Sequence, residues 1–240
     1  MDMKIMSYNI RSGIGMDRKV DLERLGKFLL SCDADIIGLQ EVSINHSYLP
    51  DVDELDFLAK YTSYTPFFAR TFIKPGGGKT GEFHYGIGIL TRLPAEKIAQ
   101  IPLPNVENCE ARTALILKVE KDGDFFYFVN THLAYEGNLP ALRKEQLMAI
   151  TSYVKEKGLF PAVITGDFND TPTSPCMEEM KKDWAFTDLE ILTFPSDVPH
   201  IKIDYIGFAP KEAFTFTDFR VIEEKVISDH RPLTVILEKK

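Results

Sequence analysis

No run of apolar residues in this 240-residue chain approaches the ~20 that a helix needs to cross a bilayer. Stable membrane insertion by that route is excluded. The chain opens Met-Asp-Met-Lys-Ile-Met-Ser-Tyr-Asn, without a basic segment, apolar stretch and cleavage site. A soluble, cytoplasmic protein is expected, or a secreted or periplasmic one if a signal peptide has been trimmed from this start. Cysteine is scarce. Cys32, Cys109 and Cys176 stand far apart and form no Cys-x-x-Cys, which excludes zinc-ribbon and dithiol redox chemistry, and an odd count gives no disulfide framework. Inert thiols are expected. Positive charge is in deficit: 28 Lys and Arg against 36 Asp and Glu give a net charge of -8. That is the wrong sign for coating nucleic acid by bulk electrostatics, so nucleic acid is expected only as a substrate. There is no Gly-x-Ser-x-Gly elbow to support a serine hydrolase. No Pro/Ser-rich linker, repeat or low-complexity tract interrupts the chain. Residues 1–240 are therefore expected to form one domain, acting as a monomer.

One stretch is declined for the same kind of reason. Pro75-Gly76-Gly77-Gly78-Lys79-Thr80 ends like a phosphate-binding loop, but the Gly required five residues before Gly78 is Ile73, and no strand-to-helix context follows. It reads as a loop at the rim of a groove, with His84 and Tyr85 just beyond it, either touching substrate or belonging to a solvated loop. His46 and His200 have no assigned place.

What is present is ordinary globular composition, 44% hydrophobic and 27% charged. Val20, Leu22, Leu25, Phe28, Leu29 and Cys32 recur at helical spacing and predict an amphipathic helix over Asp21 to Cys32. A second helix is expected around Leu55, Leu58 and Ala59, and a third from Pro140 to about Lys157. Strands are expected at Lys4 to Tyr8, Ile36 to Glu41, Tyr85 to Thr91, Lys97 to Leu103, Ala162 to Thr165, Ile201 to Phe208 and Pro232 to Leu237. Ala111 to Val119 and Phe125 to Asn130 read as a hairpin around Lys121-Asp122-Gly123-Asp124. The aromatic run Tyr61, Tyr64, Phe67, Phe68 and Phe72 reads as core. The class is α/β with sheets at the centre and helices outside.

The chemistry sits at strand ends. Pro161 to Ile164 leads into Thr165-Gly166-Asp167-Phe168-Asn169-Asp170, and in an extended chain alternate residues such as Asp167 and Asn169 face one way. Four more strand ends carry related groups: Ser7-Tyr8-Asn9, Gln40-Glu41, Asn130-Thr131-His132 and Ser228-Asp229-His230. A sixth segment, Ile203-Asp204-Tyr205-Ile206, sets an acid in an apolar strand, where acids are rare unless paired or metal-bound. Each has a bland alternative: a turn residue, a helix cap, a satisfied core histidine, a structural ion pair. Together they favour one site. Hard oxygen ligands such as Glu41 suit Mg²⁺ or Mn²⁺, an acid is needed to activate water, and a histidine beside a carboxylate stays protonated. This chemistry fits phosphoester hydrolysis.

In this order, over nearly the whole chain, these motifs resemble the endonuclease/exonuclease/phosphatase superfamily. The resemblance implies an α/β four-layer sandwich of two central mixed β-sheets flanked by helices, deoxyribonuclease-like, with the site at one edge of the sheets. It implies that Glu41 is the principal metal ligand, with Asn9 or Asp229 beside it, and Mg²⁺ or Mn²⁺ as cofactor. It implies catalytic roles for Asp167, Asn169, His132 and His230, with Asp204 orienting His230. Arg11 and Arg112 are softer substrate-binding candidates, Arg112 through orienting Glu41. The expected activity is metal-dependent hydrolysis of a small-molecule or lipid-headgroup phosphodiester by in-line attack of water. A Mg²⁺-dependent nuclease and a non-catalytic binding protein on the same fold are the alternatives, and a monoester substrate stays open.

Overall fold

Asp21 opens the first helix as a side-chain cap. Its carboxylate accepts the Arg24 backbone N–H at 2.9 Å, one of the donors that a helix N-terminus leaves without an intrahelical partner. Helix α1 (Leu22–Ser31) then buries Leu22, Leu25 and Leu29. Asp53 and Ser174 cap α2 (Glu54–Thr62) and α4 (Pro175–Met180) in the same way. Helix α3 (Pro140–Glu156) starts on a proline, whose missing N–H costs nothing in the first turn.

The computed structural model describes residues 2–76, 78–137 and 139–240. Its strands are β1 (Asp2–Asn9), β2 (Ile36–Ile44), β3 (Thr65–Pro75), β4 (Glu82–Thr91), β5 (Ala95–Pro102), β6 (Thr113–Lys121), β7 (Asp124–His132), β8 (Ala162–Asp167), β9 (Ala185–Phe186), β10 (Asp204–Ala209), β11 (Phe214–Val221) and β12 (Leu233–Lys239). They form two six-stranded sheets, ordered β11-β12-β1-β2-β4-β3 and β5-β6-β7-β8-β10-β9. Each is mixed: β1–β2 and β7–β8 are parallel, crossed over by α1 and α3, and the remaining pairs are antiparallel.

Strand alternation explains the layering. Ile5, Ile36 and Val163 join the cluster between the sheets. Their neighbours Met6 and Ile37 pack under α1 and α2, and Ile164 packs under α3 and α4. Helix–sheet–sheet–helix is the four-layer sandwich expected from the resemblance.

The inter-sheet face changes character along its length. On β1 it reads Met3, Ile5, Ser7, Asn9; on β7 Phe126, Phe128, Asn130, His132; on β8 Val163, Thr165, Asp167; and on β10, which runs the other way, Phe208, Ile206, Asp204. Hydrocarbon at one end gives way to polar groups at the other, and the register brings those groups level. His132 and Asp204 both pair with Asp167, and Asn9 pairs with Gln40.

A buried amide joins the sheets just inside that polar end. Asn130 on β7 donates to Leu39 O at 2.8 Å and Gly88 O at 2.9 Å on the opposite sheet, and accepts from Gln40 Nε2 at 2.7 Å and Thr165 Oγ1 at 3.2 Å. Gly38 leaves room for it: a Cβ there would lie 2.7 Å from Asn130 Oδ1.

Most expected elements lie within a few residues of their observed bounds. The strand expected from Ile201 begins at Asp204. Ile201 turns instead to the preceding loop, where its carbonyl accepts from Thr193 and Phe194. β3, β11, α4 and β9 were not anticipated.

Candidate active site

The polar edge carries backbone strain. Glu41 (φ 57°), Arg11 (47°), Ser12 (48°) and Asn169 (51°) all occupy the left-handed region, which costs a non-glycine residue of order 1–3 kcal/mol and collects at functional sites. Glu41 sits in a bulge of β2 between Leu39 and Val42, a device that re-aims a side chain. Beneath it, Ser43 N–H donates to Glu54 Oε2 at 2.8 Å, and the Ser43 and Ser12 hydroxyls meet at 2.6 Å. Glu54 is 1% exposed and its Oε1 has no partner. Burial pushes its pKa up to about 8, so it sits neutral under the bulge.

Asp167 is the hub. Its Oδ2 accepts from Asn9 Nδ2 at 3.0 Å and its Oδ1 from Asn169 N–H at 2.9 Å, while His132 Nε2 and His230 Nε2 lie 3.5 and 3.6 Å away. Burial raises its pKa to about 7, with the His230 charge acting against that rise. His230 Nδ1 faces both Asp204 oxygens at 3.1 and 3.0 Å. Burial works to lower the His230 pKa, but the carboxylates of Asp204 and Asp167 outweigh it and raise it to about 10. His230 therefore carries its proton at neutral pH, and the Phe194 ring lies against it at 4.7 Å.

His132 is held differently. Arg112 Nη1 donates to its Nδ1 at 3.2 Å, and the Asn169 amide meets its Nε2 at 3.1 Å. Burial, then the Arg112 and His230 charges, push its pKa well below the ordinary value. His132 is therefore neutral beside the cationic His230.

These groups meet in a cleft of ≈ 550 Å³ lined by Arg11, Glu41, Arg112, His132, Asp167, Asn169, Asp229 and His230. Asn9 and Asp204 stand directly behind. All ten residues singled out in the sequence are thus at or next to one cleft. Arg112, expected to orient Glu41, instead bonds His132 and pairs with Glu110 at 3.4 Å. Arg11 pairs with Asp229 at 3.3 Å.

Two carboxylate groupings suggest themselves as cation sites. Ligand atoms of Asp167, Asp204 and His230 lie within 4.8 Å of one another, but His230 is protonated and spends Nδ1 on Asp204, so it cannot ligate. The Glu41 side fits a hard cation better. Glu41 is half-buried in the cleft wall, its pKa raised by burial and lowered in part by the Asn9 Nδ2 bond at 3.0 Å. Among the described residues it makes no ion pair. Asn9 directs its amide nitrogen at Glu41 and Asp167 while its Oδ1 accepts from Arg11 N–H at 3.1 Å. It clamps the two acids and does not present an oxygen.

Sequence reasoning missed Glu54, which looks like any helix-start acid, and, apart from Tyr85, the aromatic wall of the cleft. Phe72, expected in the core, lines the cleft with Phe83, Tyr85 and His46. Lys74 and Phe83, on either side of the expected rim loop, belong to β3 and β4. Gly77 of the declined glycine run lies outside the described residues. His84 bonds Glu82 at 3.1 Å and does not line the cleft.

The model of the Endonuclease/Exonuclease/phosphatase family matches residues 6–230. Protein angel homolog 2 of Mus musculus is 26% identical over 207 residues, 75% of this chain and 37% of its own length. The chain thus spans about a third of the length of the curated relatives it matches. An endonuclease/exonuclease/phosphatase from Beutenbergia cavernae superposes with a TM-score of 0.80 at 23% identity, covering 99% of this chain and 72% of that one. ANGEL2, a 2′,3′-cyclic phosphatase, superposes with a TM-score of 0.74 at 16% identity, covering 99% and 95%.

Proposed function

This chain belongs to the endonuclease/exonuclease/phosphatase family, and from that premise we propose that it is a divalent-metal-dependent phosphodiesterase of a small-molecule or lipid-headgroup substrate. The observation that carries this reading is Asp167, near-neutral in pKa and held by Asn9 and Asn169 between two histidines of opposite character, at the floor of a cleft that also exposes Glu41.

Glu41, with Asp229, would hold Mg²⁺ or Mn²⁺. Such an ion, when bound, offsets charge on the phosphoryl and leaving oxygens. The remaining roles belong to the chain. Asp167, with a pKa of about 7, is suited to orient the attacking water and accept its proton. Asn9 fixes the separation of Asp167 and Glu41. His230, kept cationic by Asp204, stabilises negative charge on the phosphoryl group during in-line displacement, and Asn169 and His132 add neutral hydrogen bonds. Arg112 places His132, and Arg11 stands at the mouth beside Asp229.

The net charge of -8 favours a compact substrate over a polymer, and likeness to ANGEL2, a 2′,3′-cyclic phosphatase, is consistent with a diester. The test is hydrolysis of bis(p-nitrophenyl) phosphate against p-nitrophenyl phosphate, with and without chelator, by wild type and Asp167→Ala. Diester turnover that needs metal and disappears in Asp167→Ala is expected. Turnover of the monoester alone would reassign the protein as a phosphatase, Mg²⁺-dependent plasmid nicking as a nuclease, and activity surviving in Asp167→Ala would overturn the roles of Asp167 and its neighbours.

A further inference from the structure

The β3–β4 hairpin carries the inter-sheet face onward into the cleft. On β4 the residues of that face are Ile89, Ile87, Tyr85 and Phe83. The first two are buried in the core between the sheets, and the last two line the cleft. A bulge between Arg70 and Phe72 brings Phe72 opposite Tyr85 and Lys74 opposite Phe83. All four line the cleft, whereas Ile73 and His84, one step out of phase, do not.

The rings form a continuous surface. Phe72 and Tyr85 stack at 4.9 Å with 19° between planes, and Phe83 lies 6.4 and 6.3 Å from them. The His46 ring meets Phe83 edge-on at 5.2 Å. His46 Nδ1 accepts from Tyr48 N–H at 3.2 Å and burial lowers its pKa. The neutral ring therefore keeps its proton on Nε2 as a donor. Unlike the core rings Phe126 and Phe128, fully buried, all four are only half-buried.

Cations accompany the rings. Lys74 Nζ lies 4.5 Å over Phe72. Arg112 is 4% exposed and also lines the cleft. Glu110 pairs with both cations, at 3.3 Å from Lys74 Nζ and 3.4 Å from Arg112 Nη2, and holds them at the cleft wall, where a phosphate oxygen can compete for them. Aromatic faces beside cations are the combination that recognises nucleobases through stacking while holding phosphate. A cleft of ≈ 550 Å³ matches a small ligand, not a polymer.

We propose that the inner face of the β3–β4 hairpin is a stacking subsite for the base of a small nucleotide, which makes the substrate a nucleotide-type phosphoester. The proposal rests on reading the same cleft as the phosphoester site. It also narrows the substrate from lipid headgroups to compounds with a flat heteroaromatic ring.

Calorimetric titration in Mg²⁺ tests it with four ligands: adenosine, inorganic phosphate, and the methylene-phosphonate analogues of AMP and ribose 5-phosphate, which cannot be hydrolysed. The AMP analogue is expected to bind about tenfold more tightly than the ribose analogue, a modest stacking contribution. The difference should vanish in Phe72→Ala and Phe83→Ala and survive in Phe72→Trp, which keeps a ring there and controls for folding. Equal binding of the two analogues, unmoved by these variants, overturns the stacking subsite and leaves the phosphate centre standing. Ring-dependent binding of adenosine with no gain from the phosphonate upholds the subsite and overturns the phosphate reading. Failure of all four ligands to bind overturns both.

Discussion

Replacing Glu54 by Gln should make the protein more stable, by an amount that depends on pH. Glu54 is 1% exposed, and burial lifts its pKa from the ordinary 4.5 to about 8. Between those values the folded chain holds a proton that the unfolded chain has released. Unfolding then releases a proton, so stability falls as pH rises, by about 1.4 kcal/mol per unit. The contribution is fully present below about pH 4.5, about 3 kcal/mol smaller at pH 7, and about 5 kcal/mol smaller once the folded-state pKa is passed. Gln keeps the shape and an oxygen to accept the Ser43 N–H, but has no proton to lose. Urea unfolding of wild type and Glu54→Gln, from about pH 5 to about pH 8, should therefore give stabilities that diverge with rising pH at an unchanged m-value. Parallel curves, or a Gln variant that is the less stable one at the alkaline end, would refute the assignment of a neutral acid beneath the Glu41 bulge.

Asp204→Asn removes the anion that holds His230 protonated. The His230 pKa, about 10 in the native arrangement, should fall, and the alkaline limb of the pH–rate profile should move acidward by about one unit or more; an unmoved limb would mean that another group titrates there. Arg143 on α3 pairs with Asp170 at 3.2 Å and donates to Ala134 O and Glu136 O, with both charged side chains buried. Arg143→Met leaves Asp170 buried and unpaired, and should cost about 3–5 kcal/mol in denaturant unfolding. A loss within the ~1 kcal/mol of a surface pair would show that water reaches the site.

The strand ends were legible because chemistry and periodicity coincide there. An acid or amide closing an apolar run, as at Asp167 or Asn9, announces both a strand and its polar end. The helices around Leu25 and Ile150 were legible from spacing. Less was readable where a residue's meaning depends on a partner distant in the chain. Asn130 looks like one more polar strand-end residue, yet its partners are Leu39, Gln40, Gly88 and Thr165. Glu54 reads as a first-turn acid, and only the fold shows it buried against Ser43 of β2. Arg112 opens a strand and is expected to orient Glu41, but the pairing of β6 with β7 delivers it to His132. Phe72 was read with the core aromatics because a one-residue bulge, invisible to a count of alternation, turns it into the cleft.

Asn9 and Glu41 stand on one sheet, and His132, Asp167 and Asp204 on the other. Hydrocarbon between the sheets supplies cohesion, but it is indifferent to a small slide, since burial has no direction. Hydrogen bonds weaken steeply once stretched or bent, so the three that tie Asn130 to Leu39, Gly88 and Gln40 on the opposite sheet decide where along one another the sheets come to rest. Cohesion and alignment thus fall to different atoms. A change in the apolar filling far from the cleft can leave a folded, soluble molecule whose two half-sites no longer face each other. In such a molecule, loss of turnover would report displacement of the sheets long before any probe of unfolding did.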